Sequence, residues 1–124
     1  MKAKLHTMME IAGQFELETY KPEIDRLVYI TIFLCIGLDD GTDAGDYFEF
    51  EICSLEWLRL YQPKPAILRH IMIVDRYDFK AIKDYVLSCI EKCDGDSWDE
   101  IALKLSRYFH WEYEDYEIVE LCDS

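Results

Sequence analysis

The run LVYITIFLCIGLDDGTDAGDYFEFEIC, residues 27–53, decides the fold. Its first twelve residues are continuously apolar and rich in β-branched side chains, the signature of a central strand covered on both faces. DDGTDAGD (39–46) breaks the run with two glycines and four acids, a loop composition. YFEFEIC then alternates, which places Phe48, Phe50 and Ile52 on a buried face and Glu49 and Glu51 on the other. Two strands joined by a short polar loop are most simply a hairpin.

Working outward, residues 2–11 also alternate. Ala3, Leu5, Thr7, Met9 and Ile11 share one face, with Lys2, Lys4, His6 and Glu10 on the other. This predicts a half-buried strand. Residues 12–26 read as a connection in which Phe15 and Leu17 pack. After the hairpin, Ser54 is placed to cap a short helix, LEWLRLYQ, which ends before Pro63 and Pro65. LRHIMIV (68–74) is a further apolar strand. Asp78 opens FKAIKDYVLSCIEKC, where Phe79, Ile82, Val86, Cys89, Ile90 and Cys93 recur at helical spacing. Gly95 suits the left-handed position beyond that helix. Ser97 and Glu100 make a capping box for a last helix, whose stripe is Trp98, Ile101, Ala102, Leu105 and Phe109. The order is β-β-β-α-β-α-α with an extended C-terminal tail. It predicts an α+β single domain over 1–124, an antiparallel sheet with its helices on one face.

At 124 residues, 51% hydrophobic and 15% aromatic, the chain can bury one core. Its 26 acidic residues outweigh 13 basic ones, a net charge of −13. That field disfavours nucleic acid and anionic membrane and attracts basic proteins and cations. The charge is concentrated: residues 39–56 carry −7 and 94–124 carry −8, while 57–93 carry +3. The second acidic segment holds HWEYEDYEIVEL (110–121), five acids interleaved with aromatic and aliphatic residues and no base. Such a strip is either an edge segment whose acids face water and deter stray pairing, or a surface for a basic partner. The five cysteines show no disulfide framework, no segment reaches membrane-spanning length, and the N-terminus lacks a signal-like apolar run. The expectation is a reduced, cytoplasmic protein.

Reactive centres are not expected. The acidic loop fails the helix-loop-helix calcium pattern, because Ala44 or Gly41 falls at a ligand position in either register. Zinc needs convergent ligands, whereas His6, His70 and His110 are scattered and Cys89 and Cys93 lie on an apolar stripe. Cys53–Ser54 has no histidine nearby in sequence to serve as a base. No glycine-rich phosphate loop exists. The reading is therefore no enzyme, no cofactor and no metal.

Four stretches in order, the IGLDDG to DYFEFE hairpin, ICSLEWL (52–58), LRHIMIVDRYDF (68–79) and SWDEIALKLSRYFHWEYEDY (97–116), together resemble the immunity protein 8 family. The family comprises small cytoplasmic proteins of bacterial polymorphic toxin systems. Leu55 stands where the family favours proline, and Leu68 where it favours glycine. The resemblance implies an inhibitor that binds and neutralises a cognate toxin domain. It supplies no contact residues: Trp57, Arg69, His70, Tyr77, Trp98, Trp111 and Tyr116 could serve structure or binding. Core packing is the expectation for Trp57 and Trp98, and a buried ion pair with a carboxylate for Arg69–His70. Toxin domains that cut nucleic acids tend to be basic, and carboxylates can occupy sites meant for phosphates. The candidate partner-binding residues are thus Asp39, Asp40, Asp43 and Asp46 in the loop. In the tail they are Glu112, Tyr113, Glu114, Asp115, Tyr116, Glu117 and Glu120. The rival reading is an acidic adaptor or subunit for an unrelated basic protein. A small-molecule binder is a third option, and would need a sizeable apolar pocket.

Overall fold

The structure is a computed structural model and describes residues 1–114. Three strands form an antiparallel meander: β1 (Ala3–Glu10), β2 (Tyr29–Leu38) and β3 (Asp46–Ser54). The expected hairpin is present, with Ile32 opposite Phe50 and Leu34 opposite Phe48. Even-numbered residues of β2 and β3 point inward; Ile32, Leu34, Ile36, Phe48 and Ile52 are at most 1% exposed. Helices α2 (Phe79–Glu91) and α3 (Trp98–Leu105) cover that face with Ile82, Val86, Cys89, Ile90, Ile101, Ala102 and Leu105. Burial of this apolar set, at about 25 cal/mol per Å², is the main favourable term of the fold.

Four features depart from the sequence reading, three in the sheet and α1 and one at Gly95. First, β4 (Ile71–Val74) joins β3 in parallel rather than antiparallel register. The connection through α1 (Leu55–Tyr61) is long enough for a crossover, which parallel pairing requires. A fifth strand, β5 (His110–Trp111), pairs antiparallel with the start of β3. Second, α1 buries no residue and contributes none to the core cluster. Its Trp57 sits 4.4 Å from Tyr29, whose odd-numbered position belongs to the opposite side of the sheet, so Trp57 is not in the core. Ser54 caps this helix as expected; its hydroxyl accepts from the Trp57 and Val28 N–H groups.

Third, β1 changes face midway. The register slips between Leu5 and Thr7, a β-bulge that spends one residue without advancing the pairing. Ala3 and Leu5 keep their inward position, but Met8 then packs on the core while Met9 and Ile11 are exposed. Glu10, expected outside, is buried, and its carboxylate accepts from the Ala12 and Gln14 N–H groups. This closes a turn at Gly13, which has a positive φ of 67°. At the end of α2, Gly95 is not left-handed; the helix closes through Lys92, and Gly95 lies against the Glu100 side chain. The Ser97 cap forms as expected, with Glu100 accepting from the Asp96 N–H.

Tyr77 clamps the 12–26 connection: its hydroxyl donates to the Leu17 carbonyl at 2.6 Å, and its ring meets Tyr20 edge-on. Burial pushes its ionisation up to about 12, which favours the protonated form in the folded state. The stability this protects is complete below the ordinary tyrosine value near 10 and is lost as pH rises towards 12. Alkaline melting curves should therefore fall more steeply for the wild type than for Tyr77→Phe, which itself should cost about 1 kcal/mol at neutral pH. Met8→Lys should destabilise by about 2 kcal/mol, whereas Met9→Lys should stay within about 0.5 kcal/mol in denaturant titrations.

Candidate functional site

The acidic loop is folded back on the sheet it leaves. A β-carbon on Gly37 would fall 1.9 Å from the Ala44 carbonyl oxygen, and one on Gly45 would fall 2.5 Å from that of Ile36. Only glycine permits this approach. Gly41 makes the tip with φ of 86°. The fold-back leaves Asp39, Asp40 and Asp43 exposed. Asp40 accepts from both the hydroxyl and the N–H of Thr42, which hold its carboxyl below the usual range.

Asp46 has a different position. Its Oδ2 accepts from the indole N–H of Trp98 at 2.8 Å and of Trp111 at 3.0 Å. One carboxylate oxygen thus joins β3, α3 and β5. Trp98 packs against the core as expected, though its ring edge is committed to Asp46.

β5 then brings the second acidic segment to the first. Glu112 donates its N–H to the Tyr47 carbonyl and accepts the Tyr47 N–H on its own carboxylate, at 3.1 Å. Cys35, on the odd-numbered face of β2 opposite Tyr47, registers the convergence. Burial is the largest cause of its raised thiol ionisation, followed by the negative potentials of Asp46, Glu112 and Asp43. Acids distant in sequence therefore share one neighbourhood. Two half-exposed rings stand beside them: Tyr47 against Phe33, and Tyr113 edge-on to Trp111.

Glu114 belongs to another arrangement. Its carboxylate pairs with Arg69 and lies 2.8 Å from His110 Nδ1 and 3.5 Å from His70 Nε2. The expected carboxylate partner of Arg69–His70 is thus Glu114, a residue read from sequence as a surface acid. His70 is the buried member and Arg69 is largely exposed. Two histidines that are scattered along the chain meet here, which the sequence reading did not anticipate. The one local signal was the i, i+4 spacing of His110 and Glu114. Asp115, Tyr116, Glu117 and Glu120 lie outside the described residues.

Among the described residues the cysteine side chains are shielded. Burial raises the thiol ionisation of Cys53, Cys89 and Cys93, and Cys53 Sγ donates to the neighbouring Ser54 carbonyl. Thiols of this kind are poor nucleophiles. A half-open groove of about 720 Å³ runs between β4, α2 and the 107–109 segment, with Met72, Val74, Ile82 and Phe109 beside Arg76 and Arg107. No helix among the described residues is long and apolar enough to cross a membrane.

The description Immunity protein 8 matches residues 4–116, nearly the whole chain. The chain belongs to the immunity protein 8 family. That membership makes it an immunity protein of toxin systems and implies a protein toxin as its partner. No curated protein and no solved structure matches the chain. Within the family match fall the acidic loop, the Asp46 junction and the Glu114 cluster alike.

The Asp46 junction has a measurable weight. Asp46→Ala leaves two half-buried indole N–H groups without their acceptor and should cost about 2–3 kcal/mol. Near-ultraviolet circular dichroism should lose tryptophan signal in step, because Trp98 and Trp111 share the oxygen.

Proposed function

We propose that this immunity protein binds a basic toxin domain directly, through the acidic face where the 39–46 loop meets β5. Asp39, Asp40, Asp43 and Glu112 supply the negative potential. Tyr47 and Tyr113 supply exposed rings of the kind that dominate interface energies. The tail residues Asp115, Tyr116, Glu117 and Glu120, outside the described residues, are part of the same proposal as further acidic and aromatic contacts. Asp46 and Glu114 hold it in place rather than meeting the partner. The observation that carries the reading is the double hydrogen bond of Glu112 with Tyr47, beside the Trp111–Asp46 bond, because it sets the residues that follow α3 against the end of the acidic loop. Such a field speeds the approach of a basic partner and can occupy positions that phosphates would otherwise take. The protein acts without catalysis or cofactor in the cytoplasm of the cell that makes the toxin or lives beside it. An anionic face of this density is unsuited to nucleic acid or anionic lipid.

The test pairs the chain with the toxin domain encoded by the adjacent gene. Wild-type protein should rescue cells expressing that domain and bind it with a salt-sensitive association rate. Combined Asp39→Lys, Asp40→Lys and Asp43→Lys should weaken binding at least tenfold and abolish rescue, with an unchanged melting temperature. Rescue that survives this reversal removes the loop from the interface. Failure of the wild type to bind any neighbouring toxin domain would instead favour an acidic adaptor for another basic protein.

A further inference from the structure

We infer that His70, His110 and Glu114 form a binding site for a late first-row divalent cation of the Zn²⁺ class. One ligand atom from each residue lies within 4.8 Å of the other two, the compactness that a single ion needs. Two imidazoles and a carboxylate are a ligand set that Zn²⁺ accepts, with a fourth position left for water.

Two further observations point to a ligand rather than a simple ion pair. Glu114 Oε2 and His70 Nε2 are buried, and neither has a hydrogen-bond partner among the described residues, although His110 Nδ1 is only 2.8 Å from that oxygen. The His70 side chain is 9% exposed, so bulk water does not satisfy its ring nitrogen. A buried carboxylate oxygen facing two ring nitrogens without hydrogen-bond alignment calls for a positive species between them.

The surroundings hold the donors in place. Arg69 donates to Glu114 Oε1, the other oxygen of the carboxylate, which leaves Oε2 turned towards the imidazoles. Outer contacts of this type orient metal ligands. His70 has φ of 57°, a left-handed backbone that a side-chain-bearing residue seldom adopts. Its carbonyl is fixed by the Glu51 N–H as the chain enters β4. His110 pairs with Glu49 at the start of β5, and Glu114 closes the turn after it by donating its N–H to Trp111. A cation here joins the β4 entry to the C-terminal segment. His110, the more exposed imidazole, marks the side of entry.

The experiment uses the full-length, metal-stripped and reduced protein, titrated with Zn²⁺ in a calorimeter and with Co²⁺ in an absorption spectrometer. The site predicts one Zn²⁺ per chain at micromolar affinity or tighter, and a Co²⁺ visible band without the near-ultraviolet thiolate transition. His110→Ala and Glu114→Gln should each weaken uptake at least tenfold, and His6→Ala should leave it unchanged. His110 is partly exposed, so its replacement tests the site even if the Glu114 variant fails to fold. No Zn²⁺ uptake by the wild type, unchanged uptake by His110→Ala, or a thiolate band with Co²⁺ would overturn the assignment.

Discussion

One carboxylate oxygen organises the end of the sheet where β3, α3 and β5 meet. Asp46 Oδ2 receives two indole N–H groups, one from a helix that covers the core and one from the short strand that follows it. Without that acceptor, β5 would rest on two residue pairs with β3, too few to hold a segment by backbone bonding alone. With it, Trp111 is fixed, its neighbour Glu112 reaches Tyr47, and Glu114 is delivered to the histidines. The acidic loop and β5 come together because the residue ending the loop also anchors Trp111.

The division of labour among the acids follows from this. Net charge treats all carboxylates alike, but the fold does not. Asp39, Asp40 and Asp43 project from a loop held tight by two glycine approaches, and their charge is spent on solvent and potential. Glu10, Asp46 and Glu114 are turned inward to accept backbone, indole or guanidinium hydrogens. Acidic composition in a small domain thus supports both an electrostatic face and the polar contacts that shape it.

Much of the architecture was legible in the sequence because hydrophobic period reports burial directly. The β2–β3 hairpin, the inward Phe48, Phe50 and Ile52, the Ser54 and Ser97 caps and the stripes of α2 and α3 all followed from spacing. What escaped was long-range or one residue deep. Parallel pairing of β4 depends on where a crossover lands, which local pattern does not encode. Trp57 looked like core because of its size, yet it lies against Tyr29 on the other side of the sheet. Likewise Glu114 and Asp46 read as surface acids, since nothing nearby in sequence discloses Arg69 or the indoles as partners. The histidine cluster was hidden for the same reason: about forty residues separate His70 from His110.

The bulge at His6 carries a consequence for how length variation in this strand must be interpreted. Strand β1 is two half-strands of opposite parity, joined by one surplus residue. Excising that residue would restore a uniform alternation and leave Met8 and Glu10 facing inward, with Met9 and Ile11 still outside. A single-codon deletion at this point would thus straighten the strand and keep the side that each remaining residue faces. Relatives of different length in this stretch should be aligned by which residues face the core, not by counting along the chain.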